Sequence, residues 1–137
     1  MGRECSFCGF GLFNPVQVEL QVSRLGLYSD ARFPGRAILM FKDHRVDLED
    51  LDREEMCSFW QDATRVGGAL KRVSGATRVN YAVLGNAEPH LHIHLIPRRP
   101  LDEELPTRSP WNDPRPFEEL DPDRLRTIIK ELESILR

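Results

Sequence analysis

The most constraining feature of this 137-residue chain is a short run in which three histidines alternate with aliphatic residues, His90-Leu91-His92-Ile93-His94. Side chains of a β-strand point alternately to the two faces of its sheet, at a spacing of about 6.6 Å along each face. The three imidazoles therefore share one face, and the aliphatic side chains on the other face predict a buried core. The run thus predicts a sheet that is covered on one side and carries chemistry on the other.

Two kinds of chemistry fit such a face, beside the plain alternative of a solvated polar surface. Alternating histidines can hold zinc or iron and leave a position open for water. Alternatively, a neutral imidazole can attack phosphorus and form a phosphoramidate, which water or another acceptor then breaks. This second interpretation needs donors for the phosphate oxygens. Arg98, Arg99 and the Gly85-Asn86 turn are close enough in sequence to supply them.

The rest of the chain predicts an α+β fold in which an antiparallel sheet of about five strands packs against two helices. Strand-like runs cover Val16 to Leu27, Arg36 to Phe41, Thr77 to Leu84 and His90 to Ile96. A long amphipathic helix is predicted from Asp52, where Glu55 completes a capping box, to Gly75. A second helix is predicted to begin at Asp121 and Pro122.

These elements are expected to form a single domain of three consecutive parts, because the length suits one hydrophobic core. Residues 1–96 form the core with the histidine run, and residues 121–137 form the C-terminal helix. Residues 97–120 form a proline-rich arm, since seven of the ten prolines fall between Pro97 and Pro122. We expect this arm to lie extended over the surface, as neither strand nor helix.

The composition argues against several classes of partner. The 19 basic and 22 acidic side chains give a net charge of -3, without the basic excess of proteins that bind duplex nucleic acid or membrane surfaces. The longest apolar run, Ala37 to Phe41, is far too short to span a bilayer. Residues 1–6 carry no apolar secretion signal, and Gly2 with Ser6 fits only a loose myristoylation pattern. We therefore expect a soluble, cytoplasmic protein with no nucleic acid or membrane as partner.

The three cysteines are an odd number and a poor disulfide framework. Cys5 and Cys8 form a CxxC pair, for which a thioredoxin-like role would need a preceding strand that four residues cannot supply. A metal site is the better interpretation if two further ligands exist. Cys57 falls within the amphipathic helix and is predicted to lie in the core.

The segment from Asn80 to Arg98 resembles the signature of the histidine triad (HIT) family, in which three histidines alternate with apolar residues and are followed by Pro-Arg. Upstream, the resemblance includes the Pro34-Gly35 turn, Lys42-Asp43-His44 and the CxxC pair, so that it covers residues 5 to about 99. The chain looks most similar to the branch of diadenosine-polyphosphate hydrolases. The resemblance implies a HIT-like fold and a homodimer.

The resemblance also implies roles for individual residues. His92, the middle histidine, would be the nucleophile that accepts a nucleoside monophosphoryl group, and His94 would line the same phosphate site. Asp30 would bind the ribose hydroxyls, with a purely turn-forming role as the alternative. Asn86 would contact phosphate, and Arg98 is expected to contribute to nucleotide binding.

In zinc-containing members of the family, the metal is held by the CxxC pair, a histidine after the third strand and the first triad histidine. The corresponding residues here are Cys5, Cys8, His44 and His90. Two thiolates and two imidazoles suit tetrahedral zinc, and a shell of four protein ligands is typical of structural sites. The resemblance therefore implies a structural zinc ion that ties the N-terminus to the histidine strand.

The chain departs from the family pattern at three positions near the expected site. Arg36 replaces a histidine after Pro-Gly, Phe41 replaces a proline, and Glu88 adds a negative charge beside the triad. Such a charge would weaken polyphosphate binding unless it pairs with Arg98 or Arg99.

The predicted function is hydrolysis of a dinucleoside polyphosphate, or a similar nucleotide, at the α-phosphorus through a nucleotidyl-histidine intermediate. Two enzymatic alternatives keep the same intermediate: its transfer to phosphate or a sugar phosphate, and the cleavage of a P–N bond. A third alternative, from a different class, is a non-catalytic module that is stapled by zinc and only binds nucleotide.

Overall fold

The computed structural model describes Cys5, Phe7, Cys8 and residues 14–137. Within these residues, one antiparallel sheet consists of β1 Asn14–Pro15, β2 Ser23–Leu27, β3 Ala37–Phe41, β4 Arg78–Ala82 and β5 His92–Arg98. The strand order is β1-β2-β3-β5-β4, so β5 is paired on both sides. Two helices complete the fold, α1 Arg53–Ser74 and α2 Pro122–Leu136. The predicted α+β architecture is confirmed.

The hydrophobic core lies between the sheet and the two helices. Ile93 and Leu95 of β5 are fully buried there, together with Phe59 and Leu70 of α1 and Leu132 of α2. Alternation along β5 places these aliphatic side chains on the helix side of the sheet. The histidines between them consequently face the other side.

Both helices begin at the predicted caps. The Asp52 side chain accepts a hydrogen bond from the backbone N–H of Glu55, and the Glu55 side chain accepts one from the backbone N–H of Asp52. Gly75, with a φ of 72°, ends α1 in the left-handed region that glycine adopts without strain. Asp121 caps α2 ahead of Pro122. In the described part of the chain, neither helix combines the length and apolar composition that a membrane span requires.

The burial of Cys57 in α1 differs from the sequence prediction. Its side chain is exposed, so the prediction of a core position is wrong. The buried stripe of α1 instead passes through Phe59 and Ala63, and Trp60 is half-buried against the edge of this core. The buried positions of α1 recur from Phe59 at three- and four-residue spacing, and Cys57 does not belong to this series.

An acidic residue of α1, Asp62, is buried on the core side and anchors the chain just before β2. Its carboxylate accepts hydrogen bonds from the backbone N–H groups of Gln21 (3.1 Å) and Val22 (2.9 Å) and from the Ser23 hydroxyl (2.6 Å). The alternating run 16–27 was predicted as strand, but only Ser23–Leu27 forms one, so the prediction is wrong for residues 16–22. Backbone donors at the end of that run are bound by Asp62 instead of by a neighbouring strand.

The proline-rich arm differs from the prediction at three places. β5 continues through Pro97 to Arg98, paired with β4, so the arm begins inside the sheet. Two single 3₁₀ turns follow, Pro100–Asp102 and Pro110–Asn112. The remainder runs over the surface and is fixed to the chain beyond β2, where the Ala31 N–H donates to the Glu118 carbonyl at 2.8 Å.

Candidate active site

The triad strand lies at the centre of the sheet, with its histidines on the face opposite the helices. His92 is opposite Met40 of β3, and His94 is opposite Ile38 of β3 and Ala82 of β4. We call this surface the histidine face. A strand paired on both sides has little freedom to shift, which fixes the imidazoles relative to one another.

His92 is held in one tautomer by the backbone of its own strand. Nδ1 of His92 lies 2.6 Å from the carbonyl oxygen of His90, and the residue is only 5% exposed. A carbonyl oxygen can only accept a hydrogen bond, so Nδ1 carries a proton, and in the neutral ring the lone pair is on Nε2. An oriented, neutral imidazole with a free lone pair is the form that a nucleophile requires.

His94 is surrounded by rings. Its ring centroid lies 4.9 Å from that of His92, 5.5 Å from that of Trp111 and 6.2 Å from that of Tyr28. Nδ1 of His94 is buried and has no hydrogen-bond partner among the described residues. Burial, with smaller contributions from His92 and the Arg36 guanidinium, lowers the pKa of His94 to about 4. The ring is therefore uncharged at neutral pH.

Four side chains from three separate segments converge at the start of the triad strand. The ligand atoms of Cys5, Cys8, His44 and His90 all lie within 4.8 Å of one another. Nδ1 of His90 is 3.3 Å from Nδ1 of His44 and 3.4 Å from Sγ of both Cys5 and Cys8. Tetrahedral zinc with two nitrogen and two sulfur ligands needs separations of about 3.3–3.8 Å between them. The donor set and its spacing therefore fit zinc.

His90 is prepared for this role by a second hydrogen bond. Its Nε2 lies 2.7 Å from the carbonyl oxygen of Phe41, so Nε2 carries the proton and Nδ1 faces the cluster with its lone pair. Burial lowers the pKa of His90, which favours the neutral ring. Neither His92 nor His94 belongs to a possible metal cluster within the described residues. The geometry thus disfavours the interpretation of all three histidines as ligands of one open metal site.

An aromatic residue between the two cysteines of the CxxC pair also contacts the site, which the sequence did not predict. Phe7, between the two cysteines, is 9% exposed and lies with its ring centroid 5.1 Å from that of His92. Together with Tyr28, it covers Ile38 and Met40, which are fully buried on the histidine face. The signal available in the sequence was an aromatic residue inside the CxxC.

Two clefts open beside the triad. A small one of about 80 Å³ lies near His94 and is lined by Arg32, Phe33, Arg36, Ile96, Pro110 and Trp111. A larger one of about 220 Å³ borders His92 and is lined mainly by residues 46–49 and 83–85. The larger cleft carries the acidic side chains Asp47 and Glu49, whereas the smaller carries two arginines. An anionic group is therefore better accommodated on the His94 side.

The predicted ribose ligand, Asp30, lies near the smaller cleft but is fully buried. Its carboxylate accepts hydrogen bonds from Arg32, through the backbone N–H and the guanidinium at 3.0 Å, and from the Arg36 guanidinium at 2.9 Å. Burial alone would raise the pKa of Asp30, but these bonds outweigh it and hold the pKa below its usual value. The carboxylate is thus bound by arginines, and its contact with a ribose stays a prediction.

Arg98 is likewise bound within the protein. Its guanidinium donates to the Glu103 carboxylate at 2.6 and 2.8 Å and to the Asn80 side chain at 2.7 Å, and the residue is 6% exposed. Arg99 pairs with Asp102 at 2.9 Å. These contacts give both arginines a structural role at the base of the arm, and the contact of Arg98 with a nucleotide stays a prediction.

The remaining predicted residue, Asn86, lies exposed on the loop between β4 and β5. The adjacent Gly85 lines the cleft beside His92, so the loop borders the site. The phosphate contact of Asn86 stays a prediction. Trp111, by contrast, was not predicted as a site residue, although an aromatic residue in a proline-rich arm was the signal that could have drawn attention to it.

Comparison with known proteins identifies the family. A family model described as the HIT domain matches residues 18–101, which is more than half of the chain. The chain therefore belongs to the HIT family. The match contains the whole triad together with Asp30 and His44, but it begins after the CxxC pair and ends before most of the arm, including Trp111.

Individual relatives agree with this assignment. Bis(5'-adenosyl)-triphosphatase of Dictyostelium discoideum is 26% identical over 110 residues, which cover 72% of this chain and 74% of that protein. A histidine triad protein from Bradyrhizobium japonicum has a TM-score of 0.83 and 26% identity, with 98% of each chain covered. A zinc-bound histidine triad family protein from Mycobacterium smegmatis has a TM-score of 0.69 and 22% identity, over 97% of this chain and 93% of that one. These likenesses confirm the predicted HIT-like fold.

Proposed function

We propose that this protein is a nucleotide hydrolase that cleaves a dinucleoside polyphosphate at the α-phosphorus, with His92 as the nucleophile. The observation that carries the proposal is the hydrogen bond of His92 Nδ1 to the His90 carbonyl oxygen, at 2.6 Å. This bond leaves the Nε2 lone pair free for attack and keeps the buried ring from turning. The name of the Dictyostelium relative, a bis(5'-adenosyl)-triphosphatase, supports the class of substrate.

The reaction proceeds in two displacements at phosphorus. Nε2 of His92 attacks the α-phosphorus of diadenosine triphosphate and forms an N–P bond, while the P–O bond to the β-phosphate breaks and ADP leaves with the bonding electron pair. Water then attacks the same phosphorus, the N–P bond breaks, its electron pair returns to Nε2, and AMP and a proton are released. His94, beside the reacting group, is uncharged at neutral pH. It therefore adds no positive charge that would make Nε2 of His92 a weaker nucleophile.

The nucleophile is tested with diadenosine triphosphate. We expect an AMP adduct on His92 in mass spectra of briefly reacted protein, and a loss of about three orders of magnitude or more in kcat/KM for His92→Ala. Cys57→Ser, at an exposed position of α1, is the control and should retain activity. Wild-type activity in His92→Ala would refute the assignment, and a wild-type protein that binds nucleotide without turnover would favour the non-catalytic alternative.

The acceptor is tested by the products. Hydrolysis of diadenosine triphosphate yields AMP and ADP in equal amounts, whereas phosphorolysis of the same bond yields two ADP. We expect AMP and ADP in equal amounts with and without phosphate buffer. ADP as the only product, and only in the presence of phosphate, would favour the transferase alternative.

We further propose that Cys5, Cys8, His44 and His90 bind a structural zinc ion. The donor separations of 3.3–3.4 Å and the proton on His90 Nε2 support this, and a related protein of the same fold is described as zinc-bound. Zinc at this cluster would hold the CxxC segment, and with it Phe7, against His92. All four ligands come from the protein, so the ion would stabilise the site without contacting phosphate.

The homodimer and the cytoplasmic location are also proposals. β4 is an edge strand of the sheet, and Tyr81 on it is 40% exposed, which supports an interface with a second copy through this edge. Light scattering coupled to size-exclusion chromatography tests the dimer directly, because a mass near 15.8 kDa would contradict it.

A further inference from the structure

Arg36 lies next to the triad strand and has no role in the two displacements proposed above. It directly precedes β3, and its guanidinium lies 4.2 Å from the centroid of the Tyr28 ring, which in turn stacks on His94. Its side chain is 17% exposed and lines the cleft that also contains Trp111. The position brings a permanent positive charge to the side of the phosphate site.

The charges around Arg36 are not balanced. Asp30 is one carboxylate, and it binds two guanidinium groups, those of Arg32 and Arg36. Two positive charges against one negative charge leave a net positive charge at the edge of the cleft. An anion that enters this cleft therefore meets an attractive field.

A second observation also points to a missing partner. Nε of Arg36 and Nδ1 of His94 are the two buried side-chain nitrogen or oxygen atoms without a hydrogen-bond partner among the described residues. Burying a polar atom without a hydrogen-bond partner is unfavourable, so such atoms are few in folded proteins and call for an explanation. The two atoms belong to residues that flank the same ring, Tyr28.

We propose that Arg36 determines the class of leaving group by binding the phosphate next to the attacked phosphorus. The inference rests on the proposed function and deepens it. The enzyme then prefers phosphoanhydrides, whose leaving group is a phosphate, over phosphoramidates, whose leaving group is an amine. This preference separates two of the enzymatic alternatives that the sequence left open.

The physical reason lies in the charge that develops when the bond breaks. When the P–O bond of diadenosine triphosphate breaks, the leaving ADP takes the electron pair and gains negative charge, which a guanidinium stabilises through charge-assisted hydrogen bonds. When the P–N bond of adenosine 5'-phosphoramidate breaks, the electron pair stays on nitrogen, which takes up a proton from solvent and leaves as ammonia. Arginine has no proton to give at neutral pH, so it favours only the first substrate.

The experiment compares the two substrates on the same protein preparation. The measured quantity is kcat/KM for diadenosine triphosphate divided by kcat/KM for adenosine 5'-phosphoramidate, because this ratio does not depend on the folded fraction of a variant. The variants are Arg36→Gln, which removes the charge, and Arg36→Lys, which retains it. Arg99→Gln is the matched control, since it removes the same charge from an arginine that pairs with Asp102 on the arm.

We expect Arg36→Gln to lower the ratio by about tenfold or more, Arg36→Lys to lower it less, and Arg99→Gln to change it by less than about threefold. Equal losses for both substrates in Arg36→Gln would overturn the inference while leaving the proposed function intact, and so would an equal change in Arg99→Gln. Absence of turnover of both substrates by the wild type, or full activity of His92→Ala, would overturn the proposed function and this inference with it.

Discussion

The titration of His94 offers a sharp test of the site geometry. An ordinary histidine has a pKa of 6.5, and burial with the positive charges of its neighbours lowers the pKa of His94 to about 4. At pH 5.2, an ordinary histidine is about 95% protonated, whereas His94 is expected to be only about 6% protonated. NMR of ¹⁵N-histidine-labelled protein resolves this difference, because the ring nitrogen shifts report protonation and tautomer of each imidazole.

The same shift affects stability in a defined direction. Between pH 6.5 and about 4, the unfolded chain binds a proton at residue 94 that the folded chain does not bind, so the free energy of unfolding falls as pH falls. A difference of 2.5 units corresponds to about 3.4 kcal/mol at 1.36 kcal/mol per unit. Solvent screening of the partly exposed ring reduces this, and we expect about 1–2 kcal/mol.

The assay for stability is urea unfolding at pH 7 and pH 5 for the wild type and His94→Gln. Subtracting the two pH dependences cancels the contributions of all other groups, as far as these are unchanged by the substitution. Acidification from pH 7 to pH 5 covers only the 1.5 units between 6.5 and 5, so after screening the wild type should lose about 1 kcal/mol more than the variant. A titration midpoint of His94 near 6.5, or an identical loss in both proteins, would refute the argument from burial.

Three further predictions concern the neighbours of the site. Trp111→Ala should raise the titration midpoint of His94 in the same NMR experiment, because it uncovers the ring; an unchanged midpoint would mean that Trp111 does not shield it. Asp62→Ala should lower the free energy of unfolding in urea by about 3 kcal/mol, since three donors lose their acceptor, whereas the neighbouring Gln61→Ala should change it by less than about 0.5 kcal/mol. Equal effects of these two substitutions would contradict the anchoring role. Cys8→Ser should reduce the zinc content of the purified protein from about one ion per chain to nearly none, measured by elemental analysis, and similar zinc in both proteins would argue against the cluster.

Sequence patterns predicted the parts of the fold that depend on a few adjacent residues. The helix α1 begins at the Asp52–Glu55 capping box and ends at Gly75, as predicted, because capping involves only neighbouring residues. Alternation failed for residues 16–22, where apolar side chains still reach the core but Asp62 binds the backbone donors at the end of the run. An acidic residue between Phe59 and Ala63 on an apolar stripe was the signal for that contact.

The candidate site shows the same division between local pattern and distant contact. The histidine strand was recognisable because alternation alone decides which side chains share a face. The arginine contacts of Asp30, by contrast, depend on how the turn before β3 folds back, and the approach of Trp111 to His94 depends on the path of the arm. Cys57 was placed wrongly, because a helix wheel does not say where the buried stripe of a helix ends.

The sequence by itself determined that three imidazoles share one face of a strand, that the opposite face is buried, and which family the chain resembles. Only the tertiary structure decided what surrounds those imidazoles. It placed Phe7 against His92, Trp111 and the Arg36 charge beside His94, and Asp30 between two arginines. The physical reason is that alternation and capping act over a few residues, whereas burial, charge balance and tautomer are set by groups that are distant in sequence and meet only when the chain is folded.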